Sequence, residues 1–243
     1  MRRGRAENDR PPASSNCGHP TSWYAGFWNG DSDVIRTATA FAVIAFVGFG
    51  FPEMAHGQVF FPPSLSKRTV SCAWYRRGHM PIISDFETKW FSSQLAAAKE
   101  PSLFNLTRQG RPFNDVVRFT WLPTFHHPVI VRIEGLNSNT ARLVAKQLTG
   151  AGGYDPGKID KEIERQLTRQ EVSNLRSLIA RTRIASLPAR ICDGGTDGSQ
   201  WLIEVTDRDG YHFLNRWTPE QGEVHEFGLA AIKLTGWQFK TIY

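Results

Sequence analysis

Trp201-Leu-Ile-Glu-Val-Thr206, Asp207-Arg-Asp-Gly210 and Tyr211-His-Phe-Leu-Asn-Arg-Trp217 together decide the fold class. Two runs rich in β-branched and aromatic residues flank a short polar segment that ends in glycine, which is the pattern of a β-hairpin. Register follows from which pairing gathers the apolar side chains on one face. A three-residue loop, Arg208-Asp209-Gly210, with Gly210 left-handed, sets Val205 opposite Phe213 and Trp201 opposite Trp217. One face then holds Trp201, Ile203, Val205, Tyr211, Phe213 and Trp217. The other holds Leu202, Glu204, Thr206, His212, Leu214 and Arg216. A two-residue loop mixes the aromatics over both faces, and is rejected on that ground.

Upstream, Val116-Val-Arg-Phe-Thr-Trp-Leu122 and Val129-Ile-Val-Arg-Ile-Glu134 have the same strand chemistry. Ala141 to Leu148 reads as a third strand, entered through an Asn/Ser turn, and Gly150 to Gly157 as a loop. Trp90, Phe91, Gln94, Leu95 and Ala98 share one helical face, with Asp85 as the expected N-cap. Thr168-Arg-Gln-Glu171 is a capping box that opens a helix ending before Pro188, and Ile159 to Leu167 can extend that helix upstream. Val224 to Leu234 is a last helix, stopped at Gly236. Phe60-Phe-Pro-Pro63 reads as an extended lead-in. These elements predict an α+β fold with a largely antiparallel sheet of about five strands and two or three packed helices.

The only long apolar run is Ala38 to Phe51, 14 residues without charge. It is short for a bilayer span, which needs about 20 residues. Arg36 precedes it and Ala55-His-Gly57 follows, so residues 36–57 read as a secretory signal cleaved before Gln58. Residues 1–35 are polar and Pro/Ser-bearing. They are expected to be disordered, or to precede a true start at Val34. Residues 58–243 form the expected single exported domain, periplasmic or secreted, with no membrane span in the mature chain. Cys17 would leave with the leader. Cys72 and Cys192 remain, and an oxidising compartment favours their disulfide over two buried thiols.

Residues 58–243 carry 24 Lys/Arg and 18 Asp/Glu, a net of +6, with the positives scattered. Scatter and export argue against nucleic acid and point to an envelope partner or a polar ligand. No catalytic motif is complete, so no catalytic residue and no cofactor are assigned. Gly152-Gly-Tyr-Asp-Pro-Gly157-Lys158 imitates a phosphate loop but continues with Ile159 where magnesium needs Ser or Thr. Asp193, Asp197 and Glu204 approximate a calcium loop, with Gly195 where a ligand belongs and no flanking helices. His126-His127 have no metal-ligand spacing. Cys192 with His212 as base is explained more simply by the disulfide. What remains is Glu204, His212 and Arg216, an acid, a base and a cation expected on the hairpin's polar face. They can bind a polar ligand, run acid–base chemistry or form a solvated salt-bridge face.

Gly152-Gly-Tyr-Asp-Pro-Gly157, Asp197-Gly-Ser-Gln-Trp201 with Glu204, Tyr211-His212 and Arg216-Trp-Thr-Pro219 together resemble a family of uncharacterised exported bacterial proteins. Phe119-Thr-Trp-Leu122, Phe125-His126 and Pro128-Val129 add to the likeness, which covers most of residues 85–237. The resemblance implies a shared fold and export, and no activity. The resulting expectation is a non-catalytic binding or interaction domain of the cell envelope. The alternative is a hydrolase with an acid–base site on Glu204, His212 and Arg216.

Overall fold

The computed structural model describes residues 58–109, 115–138 and 140–243. The expected leader, its extension, Cys17 and Val34 lie outside the described residues. The chain runs α1 (Ser64–Lys67), β1 (Thr69–Ser71), β2 (His79–Pro81), α2 (Asp85–Ala97), α3 (Leu103–Arg108), β3 (Val116–Pro123), β4 (Val129–Glu134), β5 (Arg142–Leu148), β6 (Ile159–Gln166), α4 (Arg169–Thr182), β7 (Ser199–Asp207), β8 (Gly210–Trp217) and α5 (Glu223–Leu234). The fold is α+β. One sheet has six strands in the order β6-β5-β4-β3-β7-β8, all neighbours antiparallel, and β1 and β2 form a separate ribbon. The strand count exceeds the expectation because β6 is a strand and not a helical extension. Ile159 and Ile163 are four apart, a spacing that suits a helix face and also a period of two. As an edge strand, β6 carries charges on its exposed positions, which blunts edge-to-edge pairing.

Both faces of the sheet are covered. On one, Val117, Phe119, Trp121, Val131, Ile133, Leu143, Trp201 and Ile203 pack against Val172 and Leu175 of α4 and Phe227 and Ala231 of α5. On the other, Leu122, Ile130, Leu148, Leu202 and Phe213 pack against Phe91 and Leu95 of α2 and against Phe60 and Phe61. This corrects the hairpin register. The structure pairs Glu204 with Phe213, Val205 with His212 and Trp201 with Arg216, leaving Arg208-Asp209 as a two-residue loop. Gly210 does take a positive φ of 122°. Gathering aromatics on one face is a valid criterion only when the other face meets water. Here each face has its own core, so Trp201 belongs to one and Phe213 to the other.

Local signals hold where they are self-contained. Thr168 and Glu171 form the reciprocal capping box of α4. The cap of α2 is Ser84, one residue before Asp85: Ser84 Oγ accepts from the Glu87 amide, and the Glu87 carboxylate accepts from the Ser84 amide. Cys72 and Cys192 are disulfide-bonded, with Cα atoms 5.1 Å apart across a separation of 120 residues. The bridge ties the β1–β2 ribbon to the segment before β7.

Candidate functional site

The Glu204, His212 and Arg216 trio does not meet. Opposed residues of an antiparallel pair share a face, so Glu204 lies with Phe213, while His212 and Arg216 lie on the other side with Val205 and Trp201. Glu204 is buried in a charge network. Arg118 opposes both Glu204 and Arg132 across β3, which sets two cations side by side. Glu100 resolves that repulsion. Lys99 ends α2 in a left-handed turn, φ 52°, and sends the next residue inward. The Glu100 carboxylate then accepts from Arg132 Nε at 2.7 Å and Lys146 Nζ at 2.9 Å, and lies 3.6 Å from Arg118 Nη1. Glu204 accepts from Arg118 Nε at 2.7 Å and from the Tyr211 hydroxyl at 2.8 Å.

Burial raises the Glu204 pKa more than Arg118 lowers it. Burial also opposes ionisation of Glu100, but Arg118, Arg132 and Lys146 outweigh it and hold the carboxyl below its usual range. The Tyr211 hydroxyl is pushed well up by burial and by Glu204. The network is packed between the sheet and the α2–α3 connection, and its charges pair with one another. Its chemistry is that of a buried structural ion cluster.

Among the described residues, the His212 side chain reaches Asp207, at 3.2 Å. Arg216 donates to the carbonyls of Pro188, Ala189 and Asn215, and burial lowers its pKa. It forms one wall of a cleft of about 510 Å³ with Asp193, Trp217 and Glu223. Asp193 accepts from the Trp217 amide at 2.9 Å, and burial raises its pKa. Among the described residues no three or more His, Cys, Asp or Glu converge as metal ligands. Asp193, Asp197 and Glu204 are therefore not brought together as one ligand group. The glycines of that stretch have a packing role: a Cβ on Gly195 would lie 2.4 Å from the Trp217 indole nitrogen, and one on Gly194 would lie 2.7 Å from Trp74.

The glycine-rich loop after β5 is likewise a docking turn. A Cβ on Gly152 would lie 2.5 Å from the Leu122 backbone. The Gly152 carbonyl accepts from Trp90 Nε1 at 2.6 Å and Gln94 Nε2 at 3.2 Å, and the Tyr154 carbonyl accepts a second Gln94 bond. This clasp fixes an aromatic ridge that the sequence did not single out. Phe86 and Trp90, one helical turn apart, have ring centroids 5.9 Å apart. Phe125 and Tyr154, brought together by the loop, are 6.2 Å apart. Phe86 is 72% exposed, Tyr154 63% and Phe125 59%. The i, i+4 aromatic pair on α2 was legible as a signal. The meeting of Phe125 and Tyr154 was not, because it depends on the loop folding back over Thr124.

No helix among the described residues is long and apolar enough to cross a membrane. Compared with known proteins, the chain matches no family model and no curated protein.

Proposed function

We propose that this chain is an exported, non-catalytic interaction domain of the bacterial cell envelope, and that it holds an envelope partner through the Phe86–Trp90 and Phe125–Tyr154 ridge. The ridge carries the reading. Large apolar rings exposed in pairs on a hydrogen-bonded scaffold are a feature of interaction surfaces, and burying them against a partner recovers the apolar surface left in water. The Cys72–Cys192 disulfide supports export, since such bonds persist in oxidising compartments. The signal-like residues 36–57 and the resemblance to exported bacterial proteins agree with it.

The test is a Phe86→Ser, Phe125→Ser, Tyr154→Ser variant, followed by envelope fractionation of the producing cell. The rings are exposed, so the variant should unfold within about 0.5 kcal/mol of the parent per site while losing envelope association. A variant that fractionates like the parent overturns the ridge. Export has its own readout: recovered protein should begin at or near Gln58, and an intact N-terminus on soluble envelope material overturns it.

A further inference from the structure

The β1–β2 ribbon carries a surface that the ridge does not use. Residues 58–84 hold Lys67, Arg68, Arg76 and Arg77 and no Asp or Glu. Four of the net +6 charges of residues 58–243 therefore lie in the first 27 of them, a concentration that the scatter along the whole stretch hides. All four basic side chains are exposed, and none makes an ion pair or a side-chain hydrogen bond with a described residue. On the ribbon between them the exposed residues are Thr69, Ser71 and His79, so no acid interrupts the field. Of the acids that border it, Glu87 is taken by Arg190 at 2.7 Å and Asp193 by the Trp217 amide at 2.9 Å.

The turn Cys72-Ala-Trp-Tyr-Arg-Arg-Gly78 closes the ribbon. Trp74 stands in it 60% exposed, the one exposed tryptophan among the described residues. That exposure is imposed by the bonds around it. Cys72 is buried and disulfide-bonded to Cys192. The Cys72 amide donates to the Gly78 carbonyl at 2.8 Å, the Tyr75 amide to the Cys72 carbonyl at 3.1 Å and the Gly78 amide to the Tyr75 carbonyl at 2.9 Å. Tyr75 meets the Trp74 ring edge to face, with centroids 6.1 Å apart, and the bare backbone of Gly194 lets the far edge of the indole approach closely. Arg77 takes a left-handed φ of 62°, which a non-glycine residue adopts rarely. The tip is thus a fixed turn that keeps an indole in solvent two residues from a pair of arginines.

We propose that this tip docks on the surface of an anionic phospholipid bilayer. Tryptophan is favoured at the lipid–water boundary, where its apolar ring enters the headgroup layer and its N–H stays wet. Lysine and arginine beside it are drawn to the negative surface, and a guanidinium matches a phosphate with two bonds at once. A soluble acidic partner would answer the charges and leave the held-out indole without a role, whereas a bilayer uses both. Salt screens the attraction beyond about 8–10 Å. The contact is therefore reversible: it orients the domain at the membrane, and the ridge still has to hold its own partner.

The experiment uses the oxidised domain of residues 58–243, which contains both cores and the disulfide. It is sedimented with vesicles of mixed phosphatidylglycerol and phosphatidylcholine, with vesicles of phosphatidylcholine alone, and with soluble polyglutamate as competitor. Brominated lipid reports whether Trp74 enters the headgroup layer. The domain should bind the mixed vesicles, ignore the neutral ones, and show bromine quenching that Trp74→Ser removes. Arg76→Gln with Arg77→Gln should lower the partition about 25-fold, at roughly fivefold per cation. Its melting temperature should not move, since both side chains are exposed. The Phe86→Ser, Phe125→Ser, Tyr154→Ser protein should bind these vesicles as the parent does, so the result is independent of the ridge and of export. Equal binding to both vesicles, binding to neither, full binding by the arginine variant, or loss of binding in the ridge variant each overturns the proposal. So does quenching that survives Trp74→Ser. Polyglutamate held as tightly as the mixed vesicles overturns it as well, and makes the partner an acidic protein.

Discussion

Glu204→Ala is the perturbation that best separates a buried ion cluster from a surface ligand site. Glu204 and Arg118 have side chains 1% and 0% exposed. Removing the carboxylate leaves the guanidinium out of water with the Pro101 carbonyl at 2.7 Å and the more distant Glu100 at 3.6 Å. It also leaves the Tyr211 hydroxyl without its acceptor. Breaking one side of a buried pair typically costs about 3–5 kcal/mol. At about 2–4 °C per kcal/mol for a domain of this size, the melting temperature should fall by roughly 6–20 °C. Urea titration followed by tryptophan fluorescence measures the same loss as a lower midpoint at unchanged slope. Arg118→Met combined with Glu204→Leu should recover much of it, because both desolvation penalties disappear together while Arg132 and Lys146 still neutralise Glu100. His212→Ala, which loses only the partly exposed Asp207 contact, should stay within about 0.5 kcal/mol of the parent. A Glu204→Ala protein as stable as the parent would refute the reasoning and return Glu204 to the surface.

Three further outcomes follow from the packing and electrostatics. Reducing Cys72–Cys192 should cost about 4–5 kcal/mol on the chain-entropy account for a loop of this length; two thiols titrating in the folded, unreduced protein would contradict the bond. Gly228→Ala should destabilise by about 1–3 kcal/mol, since its Cβ would lie 2.2 Å from the Trp201 ring and 2.8 Å from Phe119; an unchanged urea midpoint would mean that α5 sits further from the sheet. Glu171 is held down to about 2, chiefly by its hydrogen bond from Arg165 and further by the Thr168 cap. An unfolded glutamate titrates near about 4.3, so the folded state's advantage is full above that pH and is lost as pH falls towards 2. Glu171→Gln should flatten stability across this window, and identical acid limbs in the two proteins would show that the pairing contributes nothing.

Signals complete within a few residues were readable in the chain. The Thr168–Glu171 box bonds backbone groups three positions apart, so no distant residue can alter it. The strands β3, β4, β7 and β8 announced themselves through β-branched and aromatic density. The α2 cap failed by one position because Ser84 and Asp85 are both good caps. Only the reciprocal bond to Glu87 distinguishes them, and Arg190 reinforces it by donating to Glu87 from 103 residues away.

The Cys72–Cys192 pairing followed from arithmetic: with Cys17 assigned to the leader, two thiols allow one intramolecular bond. Hairpin register did not follow from local pattern, because the second layer of helices was invisible locally. A strand covered on one side must alternate, whereas a strand covered on both is free to place Trp201 and Phe213 on opposite faces. That one-residue difference moved Glu204 away from His212 and Arg216 and into the company of Arg118, Glu100 and Lys146. Likewise Phe125 and Tyr154 are neighbours only because the loop after β5 folds back over Thr124. Sequence by itself determined the fold class, the α4 cap and the disulfide, because hydrophobic density, short-range hydrogen bonds and cysteine count are properties of the chain. Tertiary structure alone decided which charges are buried, which rings are exposed and which polar groups share a cleft, because burial depends on layers contributed by residues tens of positions apart.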